Sequence, residues 1–143
     1  MASNLLIDTN VVLDAFLVRE PFYETARKVL ELNKRPDVMI AITASSTTDI
    51  FYLARRELKD RKVVKEMIIN LVTEMSVKIL PVTPEAIYHA LNLPWTDFED
   101  AVQYSTALVN NMSGIVTRNV EDYKLSELDV YTPTAIVEFF NGK

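Results

Sequence analysis

Asn4-Leu5-Leu6-Ile7-Asp8-Thr9-Asn10-Val11-Val12-Leu13-Asp14 is a short apolar run that ends in an acid and passes at once into a second apolar stretch. An uninterrupted apolar run of this length suits a strand buried on both faces of a parallel sheet, its last residue emerging at the C-terminal end. A helical segment through 11–18 follows and is broken at Pro21. Apolar residues then recur at helical spacing at Phe22, Ala26, Val29, Leu30 and Leu32, up to a stop around 33–36.

The cycle repeats outward from this first unit. Residues 38–42 read as a second strand, with the cap-rich Thr43-Ala44-Ser45-Ser46 opening a helix to about Arg56, and a further helix covers 63–74. Residues 77–80 form a third strand, and Thr83-Pro84-Glu85 supplies a cap followed by proline at the first helical position. The next helix starts near Asp97, where Thr96 and Glu99 have capping-box spacing, and runs to about Asn111. Residues 114–117 are strand four and 129–131 strand five; Thr132-Pro133 opens a last helix closed by Gly142. Parallel neighbours need crossover connections that cover the sheet. The expected fold is therefore α/β, a three-layer α/β/α sandwich around a parallel sheet of about five strands, in one domain spanning 1–143.

Composition narrows the chemistry. The absence of cysteine removes disulfides, thiolate zinc sites and thiol nucleophiles, and fits a reducing, cytoplasmic setting. The apolar start lacks a basic leader and is interrupted by Asp8 and Asp14, so no export signal is read, and no stretch approaches the about 20 apolar residues of a membrane span. A net charge of −5 argues against a general nucleic-acid coating protein. It leaves room for a nuclease, whose metal-binding carboxylates are offset by cations at work.

Ligands of open parallel sheets bind beyond the carboxyl ends of the strands. Asp8 ends strand one, Asp49 lies early in the helix after strand two, Asp97 and Asp100 open the helix before strand four, and Asp122 follows strand four. Singly, each is explained by the preference of helix starts for aspartate, and Asp97 by a cap. Together they would repel one another unless cations sat among them. Hard carboxylate oxygens suit Mg²⁺ or Mn²⁺.

These residues carry a family resemblance. Residues 6–14, LIDTNVVLD, resemble the opening motif of PIN domains; 97–104, DFEDAVQY, resemble the central motif of one PIN subgroup; 116–123, VTRNVEDY, are similar to the late strand-and-loop motif. Arg19-Glu20-Pro21-Phe22 falls in the same ordered similarity, which runs over nearly the whole chain. The resemblance implies a metal-dependent endoribonuclease like the VapC-type toxins, with Asp8, Asp49, Asp100 and Asp122 as catalytic and metal-binding acids and Asp97 as an accessory ligand. Position 49 departs from the glutamate found in many PIN domains and has a shorter reach. It further implies an RNA substrate, a small antitoxin partner and a homodimer.

Asn10, Thr117 and Asn119 are neutral groups suited to orienting the acids or a metal-held water; Asn10 serves equally as a helix cap. The basic stretch Arg55, Arg56, Lys59, Arg61, Lys62 and Lys65 is either a solvated helix face or a phosphate contact, and Arg118 joins Arg55, Arg56 and Lys59 among the candidate RNA contacts. Glu99 is assigned to the cap, pointing away from the acids. His89 has no second His or Cys partner and receives no catalytic role. Trp95 either stacks on a base or packs a loop on the core, and Phe139 and Phe140 are core or dimer contacts. Two other classes compete: a silent PIN-fold module that binds RNA or protein without turnover, and an aspartyl phosphatase. The latter needs a second acid two residues after Asp8, where Asn10 stands.

Overall fold

In a computed structural model that describes residues 3–142, the first strand β1 (Ser3–Ile7) lies at the centre of a five-stranded sheet. The elements then follow as α1 (Thr9–Phe16), α2 (Tyr23–Glu31), β2 (Val38–Thr43), α3 (Ala44–Leu58), α4 (Arg61–Val72), β3 (Lys78–Leu80), α5 (Pro84–Leu91), α6 (Phe98–Val109), β4 (Gly114–Val116), β5 (Asp129–Tyr131) and α7 (Pro133–Asn141). The strand order is β3-β2-β1-β4-β5, and every pairing is parallel. The expected three-layer α/β/α architecture is the one observed. No helix among the described residues is long and apolar enough to cross a membrane.

Strand periodicity divides the core. Leu5, Ile7, Ile40, Ile42 and Val116 face a layer that includes Val12, Val29, Ile50, Leu71 and Ile136, while Leu6, Ala41, Leu80 and Ile115 face Tyr104, Ala107 and Tyr123. Because β1 is buried on both sides, its continuous apolar run is what this position requires. The sheet changes direction at β1: the chain leaves towards β2 on one side and β4 joins on the other. The crevice outside their carboxyl ends is the place where such sheets bind ligands.

Local chemistry moves several boundaries. Asp8 is itself the cap of α1, accepting from the Thr9 amide, so the helix starts at Thr9 rather than Val11 and Asn10 lies inside it. Asp97 caps α6 by accepting from the Asp100 amide at 2.9 Å; Thr96 and Glu99 form no capping box there, because the helix starts one residue later, with Asp97 rather than Thr96 at the cap. Thr43, Thr83 and Thr132 cap α3, α5 and α7, the last two with proline at the start.

Gly114 sets the approach of β4 to its neighbour. A Cβ there would lie 2.9 Å from the Asp129 carbonyl oxygen and 3.0 Å from the Tyr131 ring. Gly114→Ala should lower stability by about 1–3 kcal/mol, the range for overpacking, which a urea unfolding midpoint reads directly; an unchanged midpoint would contradict this close approach.

Candidate active site

Asp8 is reached first, because β1 delivers it. Ile7 pairs with Val116, so Asp8 emerges beside Thr117 at the end of β4, and its amide donates to the Val116 carbonyl at 3.0 Å. One carboxylate oxygen accepts from the Thr9 amide at 2.8 Å and the other from the fully buried Thr117 hydroxyl at 2.8 Å. Burial pushes the Asp8 carboxyl above its usual range; the Thr117 and Thr9 hydrogen bonds oppose this, and Asp122 adds to it. Gln103 also favours the charged form of Asp8. Its amide oxygen accepts from Thr43 at 2.6 Å, while its buried nitrogen has no hydrogen-bond partner among the described residues.

The remaining acids converge on Asp8. Asp8, Asp49, Asp97, Asp100 and Asp122 line one groove of about 450 Å³, together with Asn10 and Asn119. Asp49 is supplied by α3, Asp97 and Asp100 by the start of α6, and Asp122 by a single 3₁₀ turn at Val120–Tyr123. The Asp100 carboxyl is pushed up to about 7, first by desolvation and then by the like charges of Asp97, Asp8, Asp122 and Glu99. Thr117 stands behind the groove, holding Asp8 and accepting from the Asn119 amide at 3.1 Å.

One placement corrects the sequence reading, and the others decide between its alternatives. Glu99 does not point away: it lines the groove, and its carboxyl is raised by desolvation and then by neighbouring Asp49. Arg118 is turned from the acidic groove onto Asp14, with Nε 2.7 Å from Oδ2 and Nη2 3.3 Å from Oδ1, because a carboxylate only 1% exposed needs charged partners. Trp95 stacks on Tyr104 at 4.7 Å and meets Tyr123 edge-on, so it packs the loop before α6. His89 pairs with the Ser105 hydroxyl at 2.8 Å and does not line the groove. Phe140 is core, and Phe139 is half exposed.

Three further residues belong to the site. The Tyr123 hydroxyl donates to Asp100 at 3.4 Å from a buried ring, and its own deprotonation is opposed by burial and by Asp8 and Asp100. Gln103 lies three positions after Asp100, a spacing that marks one helix face. Tyr52, three after Asp49, lines the groove with Arg56, and both extend into an adjoining concavity of about 450 Å³ formed with Arg55 and Lys59.

The donor set suits a hard divalent cation, being all carboxylate and amide oxygen. Among the described residues no group of three acids or histidines is placed to hold an ion by itself. Mg²⁺ does not demand one, since it keeps several waters and takes one or two carboxylates along with substrate phosphate oxygens. Asp8, Asp100 and Asp122, with Asp49 and Asp97 around them, are the residues able to do so.

A family model described as PIN domain matches residues 4–121. No curated protein matches the sequence. Among solved structures, the chain is similar to VapBC2 from Rickettsia felis bound to a DNA fragment from its promoter, with 16% identity, a TM-score of 0.68 and coverage of 90% of this chain and 98% of that one. A toxin-antitoxin complex from Klebsiella pneumoniae gives 20%, 0.67, 90% and 97%. VapC20 from Mycobacterium tuberculosis, a toxin that cleaves the Sarcin-Ricin loop, gives 16%, 0.61, 78% and 86%. At these identities the shared property is the fold.

Asp100 makes stability depend on pH. A folded-state carboxyl near 7, above its unfolded value near 4, is stabilised when protonated; that contribution is complete at low pH and lost as pH rises through about 7. In chelator, Asp100→Asn should therefore be more stable than wild type at pH 8, by about 1 kcal/mol after screening of this half-exposed group, with the difference vanishing by about pH 4. Thermal melts across pH measure it; a variant less stable than wild type at pH 8 would refute it.

Proposed function

The chain belongs to the PIN domain family, and from that premise we propose that it is a Mg²⁺- or Mn²⁺-dependent endoribonuclease acting as the toxin of a toxin-antitoxin pair. The observation that carries the reading is the groove itself, which gathers six carboxylates beside a single guanidinium, that of Arg56. Like charges in a desolvated groove are unfavourable unless a cation joins them. Next to the groove, Arg55, Arg56 and Lys59 form a basic ledge with the exposed ring of Tyr52.

Asp8, Asp49, Asp100 and Asp122 hold the cation, with Asp97 as an accessory ligand at the groove edge. When bound, the ion supplies Lewis acidity towards a phosphodiester and towards the water that attacks it. Thr117 keeps the Asp8 carboxylate in place, and Tyr123 does the same for Asp100. Glu99, beside Asp49, brings the longer side chain that position 49 itself lacks. Asn10 and Asn119 offer neutral groups to a water or a phosphate oxygen. Arg55, Arg56 and Lys59 neutralise backbone phosphates leading to the cut.

The toxin assignment is supported by the fold likeness to structures titled as toxin-antitoxin complexes. It carries with it a small antitoxin protein and a homodimer.

Incubating the purified protein with labelled structured RNA tests the reading. Cleavage should require Mn²⁺ and fall by more than about 100-fold in Asp100→Asn, beyond the 10–100-fold typical when only an outer partner of a metal ligand is lost. Replacing Arg55, Arg56 and Lys59 together by alanine should flatten the slope of log affinity against log salt by about 2, or about 0.7 for each single-strand contact removed. Metal-independent RNA binding with no cleavage by either protein would favour a silent binding module instead.

A further inference from the structure

A second cavity, of about 510 Å³, adjoins the acidic groove and shares Asn119 with it. Phe22 and Thr25 at the start of α2, Arg118 and Asn119 after β4, and Pro133 and Thr134 at the start of α7 line its walls. Its surface is largely apolar, yet it contains a guanidinium. The Arg118 Cζ lies 4.0 Å from the Phe22 ring centroid, so one planar cation is layered on one aromatic ring. That arrangement is locked from behind by Asp14, which takes Nε and Nη2 and leaves Nη1 without a partner among the described residues. Arg19 stands 3.6 Å from the same buried carboxylate.

The bland reading is an ion pair that fastens the loop after β4 to α1. It explains Asp14 but not the cavity, the exposed edge of Phe22 or the uncommitted Nη1. A cavity with an aromatic ring and a fixed guanidinium plane is chemistry for a nucleobase, which stacks on either surface and accepts hydrogen bonds from the cation. From these observations we infer that the cavity takes one unpaired nucleotide of the RNA, adjacent to the phosphate in the acidic groove. The inference rests on the nuclease reading above and adds to it a base-binding subsite, which a paired base can enter only by leaving its stack at an energetic penalty. Asn119, common to both cavities, marks the path of the backbone between them.

The test uses the full chain with Ca²⁺ in place of Mn²⁺, so that the acidic groove holds a hard cation while RNA is bound. Two probes are compared by fluorescence anisotropy: a labelled randomised RNA decamer and a ribose-phosphate decamer with no bases. The wild type should prefer the decamer with bases. Phe22→Leu, which keeps apolar bulk but removes the ring, should reduce that preference about tenfold, within the range for loss of one stacked base, while Phe22→Tyr retains it. Phe22→Tyr should melt like wild type and Phe22→Leu only slightly lower, because the leucine keeps the apolar bulk but loses the ring contact with Arg118. If wild type cuts RNA with Mn²⁺ and the preference is the same in Phe22→Leu, the subsite is overturned and the nuclease reading stands. If wild type neither cuts RNA with Mn²⁺ nor binds either decamer, both fall.

Discussion

The hydrogen bond from Thr117 to Asp8 joins residues 109 positions apart and ties the two strands between which the site is built. It exists because β1 and β4 are parallel neighbours in one register, with Ile7 opposite Val116, so that the next residue of each strand leaves the sheet side by side. Asp8 then performs two structural tasks at once: its amide continues the ladder to Val116, and one carboxylate oxygen caps α1. Only the direction of the carboxylate remains to be fixed, and Thr117 fixes it. The other acids take their positions from that point. α3 and α6 start at the same sheet edge, and the 3₁₀ turn after β4 brings Asp122 alongside.

The sequence made the layers and strands legible because strand burial and helix spacing both leave periodic marks. All five strands were visible in it, β5 to the residue, and Asp8, Asp49, Asp97, Asp100 and Asp122 do share one groove. What periodicity could not reveal was which of two adjacent caps starts the helix. Asp97 and Thr96 are both good caps; only three-dimensional placement shows Asp97 on the Asp100 amide, which leaves Glu99 free to face Asp49. Gln103 and Tyr123 were equally hidden. A glutamine in a helix and a tyrosine beside an acid are ordinary in sequence, and their meaning comes from the carboxylates they meet across the fold.

Asp8 and Asp14 illustrate how one motif divides its labour. Both are aspartates of the same opening stretch, six positions apart. Asp8 leaves the sheet at its edge and faces the groove; Asp14, on α1, is 1% exposed and is met by Arg118 and Arg19. Removing one partner of a buried ion pair is far more damaging than its net contribution to stability suggests, because the other charge is left desolvated. Asp14 is therefore an anchor whose importance is structural, while the loop it anchors carries Thr117 behind Asp8 and Asn119 at the groove wall.

The net charge of −5 has a local explanation. Asp8, Asp49, Asp97, Glu99, Asp100 and Asp122 line the groove against the single guanidinium of Arg56, an imbalance as large as that of the entire chain. Outside the groove, acids and bases are therefore balanced, and the acidic tally says little about affinity for an anionic ligand. The relevant quantity is the field along the groove and the ledge beside it. There the acids line the groove, and Arg55, Arg56 and Lys59 stand beside it. A chain with the same composition but scattered acids would repel nucleic acid over its whole surface. Under the proposed metal-dependent reading, concentrating the acids at one sheet edge lets divalent cations reverse the local sign without altering the rest of the surface.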